Sequence, residues 1–135
     1  MKVFLDTSAF VALLVKNEID HEKVANKYLD YRQERALLIT SDYILDELFT
    51  RLRFYKIDLK RYIEKLKSSI DKDEIAVLRI DENLFDKSIQ IFLKFSDHKI
   101  SFTDATTYVL YKNFSLDEIF TLDNDFKKMR VNISF

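Results

Sequence analysis

Two hydrophobic patterns alternate along the chain. Short, continuous apolar runs have the length and the β-branched content of buried strands. These runs are KVFL (2–5), ALLIT (36–40), IAVLRI (75–80) and EIFTL (118–122), with VNIS (131–134) as a weaker fifth. Between them lie longer segments whose apolar residues recur at helical spacing, as they do along LKRYIEKLKSSI (59–70). The pattern predicts strands separated by helices.

Polar residues at the segment boundaries predict where the helices begin. Short oxygen-bearing side chains cap the free N–H groups of a first helical turn. The predicted caps are Asp6 or Thr7, Thr40 or Ser41, Asp58, Asp81 and Thr103. The helices that follow are predicted over 7–15, 42–54, 59–70, 82–95 and 104–114, with another over 21–35. Asn113 is the natural left-handed cap at the end of the last of these helices.

Strands that alternate with helices favour right-handed crossovers and a parallel sheet covered on both faces. The predicted fold class is therefore α/β, a three-layer α/β/α sandwich with a central, mainly parallel sheet of four to five strands. A length of 135 residues with 47% hydrophobic residues suits a single domain, 1–135, with a substantial core.

Composition excludes several kinds of site. The chain has no cysteine, which removes disulfides, thiolate metal sites and a cysteine nucleophile. It has no glycine, which removes phosphate-binding loops that need glycine for close backbone approach. The net charge of -1 indicates no bulk attraction to nucleic acid or membrane. The apolar N-terminus is interrupted by Asp6, which argues against a secretion signal or membrane span, so we expect a cytoplasmic protein.

Acidic residues stand where predicted strands run into helices. Asp6 ends the first strand, Asp123 follows the fourth, and Asp104 opens a helix. In parallel sheets, ligands bind beyond the carboxyl ends of the strands, although each of these acids also suits an ordinary helix cap. Glu47, in the helix after the second strand, is a further candidate, and periodicity leaves open the choice between it and Asp46.

Several carboxylates at one sheet edge repel each other unless a cation neutralises them. Oxygen ligands without cysteine suit Mg²⁺ or Mn²⁺ rather than zinc. His21 and His98 have no partner at ligand spacing and fit ordinary boundary positions. The acids therefore predict a site for a hard divalent cation.

A basic stretch begins at the end of the helix that follows the second predicted strand. Residues 51–67 (RLRFYKIDLKRYIEKLK) contain seven basic and two acidic side chains, with Tyr55 and Tyr62 interleaved. Such a stretch is typical of phosphate-backbone binding with base stacking, or of a solvated helix whose tyrosines are core. The RNA-binding candidates are Arg51, which lies one turn after Glu47, together with Arg53 and Lys56.

Four segments together resemble the PIN-domain family, and most of all its short VapC-type toxin ribonucleases. They are VFLDTSAF (3–10), SDYILDELFTRLR (41–53), FTDATTYVLYKN (102–113) and IFTLDNDF (119–126). The resemblance covers nearly the whole chain. One departure is NFSLDE (113–118), which stands where family members usually carry glycine and proline and which concerns loop shape.

The resemblance implies the roles of single residues. Asp6, Glu47, Asp104 and Asp123 would be both catalytic and metal-binding residues, holding one or two Mg²⁺ or Mn²⁺ ions. It also selects Glu47 over Asp46. Orienting roles would fall to Thr7, Ser8, Thr103, Thr121 and Asp125, although Asp125 also fits a simple first-turn helix acid.

The activity implied by the resemblance is metal-dependent endoribonucleolytic hydrolysis of RNA by the toxin of a toxin-antitoxin pair. The implied partners are an RNA substrate, a cognate antitoxin and a second copy in a homodimer, with no membrane. A catalytically inactive PIN-like module that binds RNA or protein is the alternative. A haloacid-dehalogenase phosphatase fits poorly, because Ser8 stands where that family has its second aspartate.

Overall fold

Strands and helices alternate through the computed structural model, which describes all 135 residues. Each strand is short, and two helices connect it to the next. In chain order the elements are β1 (Lys2–Leu5), α1 (Thr7–Leu14), α2 (His21–Gln33), β2 (Leu37–Ser41), α3 (Asp42–Leu52), α4 (Leu59–Asp71), β3 (Ala76–Leu78), α5 (Glu82–Lys94), α6 (Phe102–Asn113), β4 (Glu118–Phe120) and a 3-10 helix (Asn124–Met129). No helix combines the length and the apolar character that crossing a membrane requires.

The four strands form one parallel sheet in the order β3-β2-β1-β4. β1 is central: Phe4 lies opposite Ile39 of β2 on one side and Ile119 of β4 on the other. Val3, Phe4 and Leu5 are fully buried although they point to alternate faces, so helices cover both sides of the sheet. The three-layer α/β/α sandwich predicted from the pattern is confirmed.

The strand order reverses between β1 and β4. The chain moves from β1 to β2 to β3 in one direction and then returns across the sheet to place β4 on the far side of β1. Right-handed crossovers therefore put the helices before and after β3 on opposite faces. The carboxyl ends of β1 and β4 border the crevice where ligands bind in open α/β sheets. Asp6 and residues 121–123 lie at this point.

Three of the predicted strands are longer than the strands in the structure. β3 ends at Leu78, because the Ile80 N–H donates to the Asp42 carboxylate (3.1 Å) instead of extending the ladder. β4 ends at Phe120 rather than at residue 122. The predicted strand 131–134 is reduced to a single bridge from Ile133 to Ile119, although backbone bonds on both sides hold the segment against β4.

The helix caps mostly follow the sequence. Ser41, Asp58 and Asp81 accept hydrogen bonds from the first turns of α3, α4 and α5, as predicted. The predicted start at Thr103 is wrong. α6 begins at Phe102 with Ser101 as its cap, because Ser101 and Asp104 form a reciprocal capping box.

The left-handed cap predicted at Asn113 is also wrong. Asn113 is the last residue of α6, and Ser115 instead takes the left-handed conformation with φ of 51°. The Leu116 N–H then returns to the Tyr111 carbonyl (3.0 Å), which closes the helix end in the manner of a Schellman motif. In a chain without glycine, the position of the bonded turn decides which residue takes the left-handed conformation.

Candidate active site

Asp6 is fixed between β1 and α1. Its N–H donates to the Phe120 carbonyl on β4 (3.0 Å), and its own carbonyl accepts from the Phe10 N–H of α1 (3.1 Å). Asp6 occupies the N-cap position of α1, yet its side chain makes no capping bond. Only 6% of the residue is exposed. Helix capping therefore does not account for this buried carboxylate at the edge of the sheet.

Two hydroxyl groups bind the Asp6 carboxylate. Thr121 Oγ1 donates to Asp6 Oδ2 over 2.8 Å, and Ser8 Oγ donates to the same oxygen over a longer 3.3 Å. The two hydroxyl oxygens lie 3.1 Å apart. The Leu122 N–H donates to Ser8 Oγ (2.9 Å), and the Asp123 N–H donates to Thr121 Oγ1 (3.0 Å). This network joins the loop that leaves β4 to the end of β1.

Burial raises the pKa of the Asp6 carboxyl to about 7, since a charged carboxylate is poorly solvated there. The Thr121 hydroxyl opposes this effect by stabilising the charged form, and so does the Thr7 N–H. The negative charges of Asp104 and Glu47 raise the pKa further. Asp6 is thus a carboxyl group whose charge is costly without a nearby positive charge.

Asp104 has the same kind of environment. Burial raises its pKa to about 6, the Ser101 N–H lowers it, and the charges of Asp123 and Glu47 raise it. The capping box occupies Asp104 Oδ2, which accepts the Ser101 N–H at 3.0 Å, and leaves Oδ1 without a protein donor. Asp104 therefore combines a structural and an electrostatic role.

The structure brings the four predicted acids into one electrostatic group. Asp6 is coupled to Asp104 and Glu47, and Asp104 is coupled to Asp123 and Glu47. Asp123 caps the 3-10 helix, with its Oδ1 accepting the Asp125 N–H at 2.8 Å. Asp46, which periodicity could not separate from Glu47, is exposed and lines a different groove with Asp42, Lys67 and Arg79 among others.

The other residues given orienting roles divide into two groups. Ser8 and Thr121 contact Asp6, as described above. Thr7 contributes only its N–H, because its buried hydroxyl has no hydrogen-bond partner. Thr103 is half-buried, and its backbone carbonyl accepts the Thr106 hydroxyl (2.6 Å). Asp125 supports Asp123 through its N–H, while its carboxylate pairs with Lys128 (3.1 Å).

The predicted RNA-binding side chains are exposed and lie at the end of α3 or beyond it. Arg51 stands one helical turn after Glu47, while Arg53 and Lys56 follow the helix. Tyr55 is half-buried and donates its hydroxyl to Glu18, which ties it to the loop after α1. Sequence reasoning missed a second basic surface, formed by Lys94, Lys112, Lys128 and Arg130. These residues come from three separate segments, so no local run signals them.

The donor set suits a hard divalent cation. It offers carboxylate and hydroxyl oxygens, and coupled carboxylates with raised pKa values gain stability from a nearby positive charge. As they stand, no three histidine, aspartate or glutamate side chains lie close enough together to hold a metal ion. Mg²⁺ usually keeps several water ligands and binds through one or two carboxylates, so this arrangement of acids is compatible with it.

Comparisons with known proteins agree with this arrangement. The structure is similar to VapC20 of Mycobacterium tuberculosis, described as a toxin that cleaves the sarcin-ricin loop, with a TM-score of 0.80, 18% identity and 94% of each chain covered. It is also similar to VapBC2 of Rickettsia felis bound to a DNA fragment from its promoter (TM-score 0.73, 14% identity, 99% of this chain and 98% of that chain).

A third similar structure is VapBC-5 of Mycobacterium tuberculosis, a member of the VapBC family of toxin-antitoxin systems (TM-score 0.59, 18% identity, 98% of this chain and 95% of that chain). Identities this low show the shared fold alone. No curated protein matches the chain by sequence. The model of the PIN domain family matches residues 3–132. With that match over nearly its whole length, the chain belongs to the PIN domain family.

Proposed function

We propose that this protein is a metal-dependent endoribonuclease and the toxin component of a toxin-antitoxin pair. Residues 1–135 would form a single PIN-like domain acting in the cytoplasm. The observation that carries the proposal is the buried Asp6 carboxylate, held by Thr121 and coupled to Glu47 and Asp104 at the edge of the sheet. A buried, hydrogen-bonded acid beside other acids is typical of a catalytic metal site.

Asp6, Glu47, Asp104 and Asp123 would hold one or two Mg²⁺ or Mn²⁺ ions. When bound, such an ion lowers the pKa of a coordinated water and neutralises charge that develops on a phosphodiester. Ser8 and Thr121 would fix the orientation of the Asp6 carboxylate through the hydrogen bonds described above. Asp125 would act on Asp123 through its N–H. Thr7 and Thr103 would have weaker orienting roles, since neither hydroxyl contacts an acid.

Metal dependence is the first test of the proposal. The purified protein should cleave a mixed pool of structured RNA in Mn²⁺ or Mg²⁺ and should not cleave it in the presence of a chelator. Either ion should also raise the melting temperature, because a ligand that binds only the folded state stabilises it.

A calcium titration is the matched control, because Ca²⁺ accepts the same oxygen ligands but prefers larger coordination numbers. Stabilisation by the ions without RNA cleavage in any pool would favour the inactive PIN-like module that binds RNA or protein. Cleavage that persists in chelator would contradict the proposal outright.

Arg51, Arg53 and Lys56 would bind phosphates of the RNA near Glu47. Arg51 is exposed and one turn from Glu47, so Arg51→Ala should weaken RNA binding and reduce the slope of log Kd against log salt by about 0.7, the value for one lost phosphate contact on a single strand. Fluorescence anisotropy over a salt series measures the slope. An unchanged slope would show that Arg51 touches no phosphate.

The proposed protein partners are a cognate antitoxin and a second copy of the chain. The VapBC structures named above include members of toxin-antitoxin systems. The outer face of α5 exposes Phe85, Ile89, Phe92 and Leu93, and two of these rings pack against Phe102. An exposed apolar face of this kind suits a protein partner. Light scattering after size-exclusion chromatography determines whether the isolated chain is a homodimer, and a mass equal to one chain would exclude it.

A further inference from the structure

A basic groove lies between α5, α6 and the segment after β4. Its volume is about 490 Å³, and its lining includes Lys94 and Phe95 from the end of α5, Tyr108 and Lys112 from α6, and Lys128 and Arg130 from the 3-10 helix and its cap. No acidic residue lines it. In a protein with a net charge of -1, this is a strong local concentration of positive charge.

Most of these positive charges are unpaired within the protein. Of the four cations, only Lys128 forms a salt bridge, with Asp125. Lys112 Nζ lies 5.6 Å from the centre of the Tyr108 ring, and Lys94 Nζ lies 5.8 Å from that of Phe95. Phe95 and Tyr108 meet edge to face with their centres 5.5 Å apart. The groove thus presents cations beside aromatic rings, which is the combination that binds single-stranded nucleic acid.

The groove begins beside the acidic site. Asp104, Tyr108 and Lys112 follow one another at intervals of four residues, so they lie along one side of α6. Lys112 is about 12 Å along the helix axis from Asp104, given the rise of an α-helix. On the second side, Lys128 binds Asp125, whose N–H binds Asp123. A polyanion seated in the groove would therefore have one part about one helical turn from Asp104.

We propose that this groove binds the sugar-phosphate backbone of the RNA substrate on one side of the cleaved bond. The proposal rests on the proposed nuclease function and assigns the RNA a path along α6. A chain approaching four acids is repelled by them, and the groove supplies cations where the repulsion must be offset. An acidic protein segment would meet the same positive charges. RNA is favoured because its bases can also stack on the aromatic rings of Phe95 and Tyr108.

The test measures binding without cleavage. The Asp6→Asn protein is titrated with a labelled single-stranded RNA in chelator over a series of salt concentrations. In this background, Lys112→Gln combined with Arg130→Gln removes two groove charges. The control combines Lys72→Gln with Arg32→Gln, which removes the same charges from exposed positions outside the groove.

The groove variant should bind RNA about tenfold more weakly than the control at low salt, with a slope of log Kd against log salt that is smaller by about 1.4. Equal affinities and slopes for the two variants would overturn the proposal, and so would the absence of RNA binding by the parent protein. The two variants are also titrated with labelled polyglutamate. If the groove variant loses polyglutamate binding but binds RNA as the control does, the groove belongs to an acidic protein segment, and the proposal is overturned.

Failure of this inference is separable from failure of the proposed function. Cleavage by the wild-type protein, combined with equal RNA binding by the two variants, would leave the nuclease standing and remove the groove from the RNA path. Absence of cleavage, combined with weaker binding by the groove variant, would leave an RNA-binding groove on a protein without nuclease activity.

Discussion

Asp6→Asn is expected to reduce RNA cleavage severely and at the same time to stabilise the fold at neutral pH. The folded-state pKa of Asp6 is about 7, whereas the ordinary value is 3.8. A carboxyl whose pKa is raised on folding makes the protein less stable as the pH rises from about 4 to about 7. The reason is that the same carboxyl ionises at a lower pH in the unfolded chain. Asparagine cannot ionise and still accepts the Thr121 hydroxyl bond.

The gain in the free energy of unfolding should be about 4 kcal/mol at pH 8 and close to zero at pH 4, measured by denaturant unfolding in chelator. Cleavage should fall by about 10³-fold through the loss of one ligand charge. Asp86→Asn is the control, because Asp86 is exposed on α5 and its replacement should change neither quantity. A destabilised Asp6→Asn protein at pH 8 would show that Asp6 is a structural residue.

Opposite effects of one substitution on stability and on activity are the result expected for a residue of a functional site. A buried carboxylate at the edge of the sheet disfavours folding unless a positive charge neutralises it. Val3, Phe4 and Leu5, which precede Asp6, are fully buried and apolar, so a neutral residue at position 6 would cost less. We therefore interpret Asp6 as a residue whose cost in stability is offset by its role in binding a cation.

The fold was predictable because it depends on local patterns. The apolar runs that became β1 to β4 are short and continuous, and Ser41, Asp58 and Asp81 mark the starts of their helices through side-chain caps that act within a few residues. The end of β3 was predicted wrongly because a residue distant in the sequence determines it. β3 stops early because Asp42, from the other end of the preceding crossover, takes the Ile80 N–H.

The start of α6 at Phe102, by contrast, follows from a local sequence signal. Ser101 and Asp104 have the spacing of a capping box, a sequence signal that indicates Ser101 rather than Thr103 as the cap. The left-handed residue after α6 was harder to predict. Asparagine is the usual substitute for glycine, but the bond from the Leu116 N–H to the Tyr111 carbonyl assigns that conformation to Ser115.

The candidate site was only partly predictable from the sequence. Asp6, Asp104 and Asp123 stand at strand and helix boundaries, where the topology of a parallel sheet indicates a common edge. The hydroxyl bonds of Ser8 and Thr121 to one carboxylate oxygen depend on the path of the loop after β4, which no periodicity describes. The basic groove depends on three segments meeting, so only the folded structure reveals it.

The choice between Glu47 and Asp46 leads to the second large effect. The two residues are adjacent in α3, but their side chains point in directions about 100° apart. Glu47 is half-buried and electrostatically coupled to Asp6 and Asp104, whereas Asp46 is exposed and lies in another groove. Glu47→Gln should therefore reduce metal-dependent cleavage by about 10²-fold and weaken the stabilisation by Mn²⁺.

Asp46→Asn is the matched control, because it removes one negative charge from the neighbouring residue of the same helix and keeps the size of the side chain. It should retain cleavage and the Mn²⁺-induced rise in melting temperature. Both variants preserve the length of the replaced side chain, so a difference between them reports the position of the charge. Equal losses in the two would mean that general negative charge on α3 matters, and a loss confined to Asp46→Asn would place the fourth acid at Asp46 and remove Glu47 from the site.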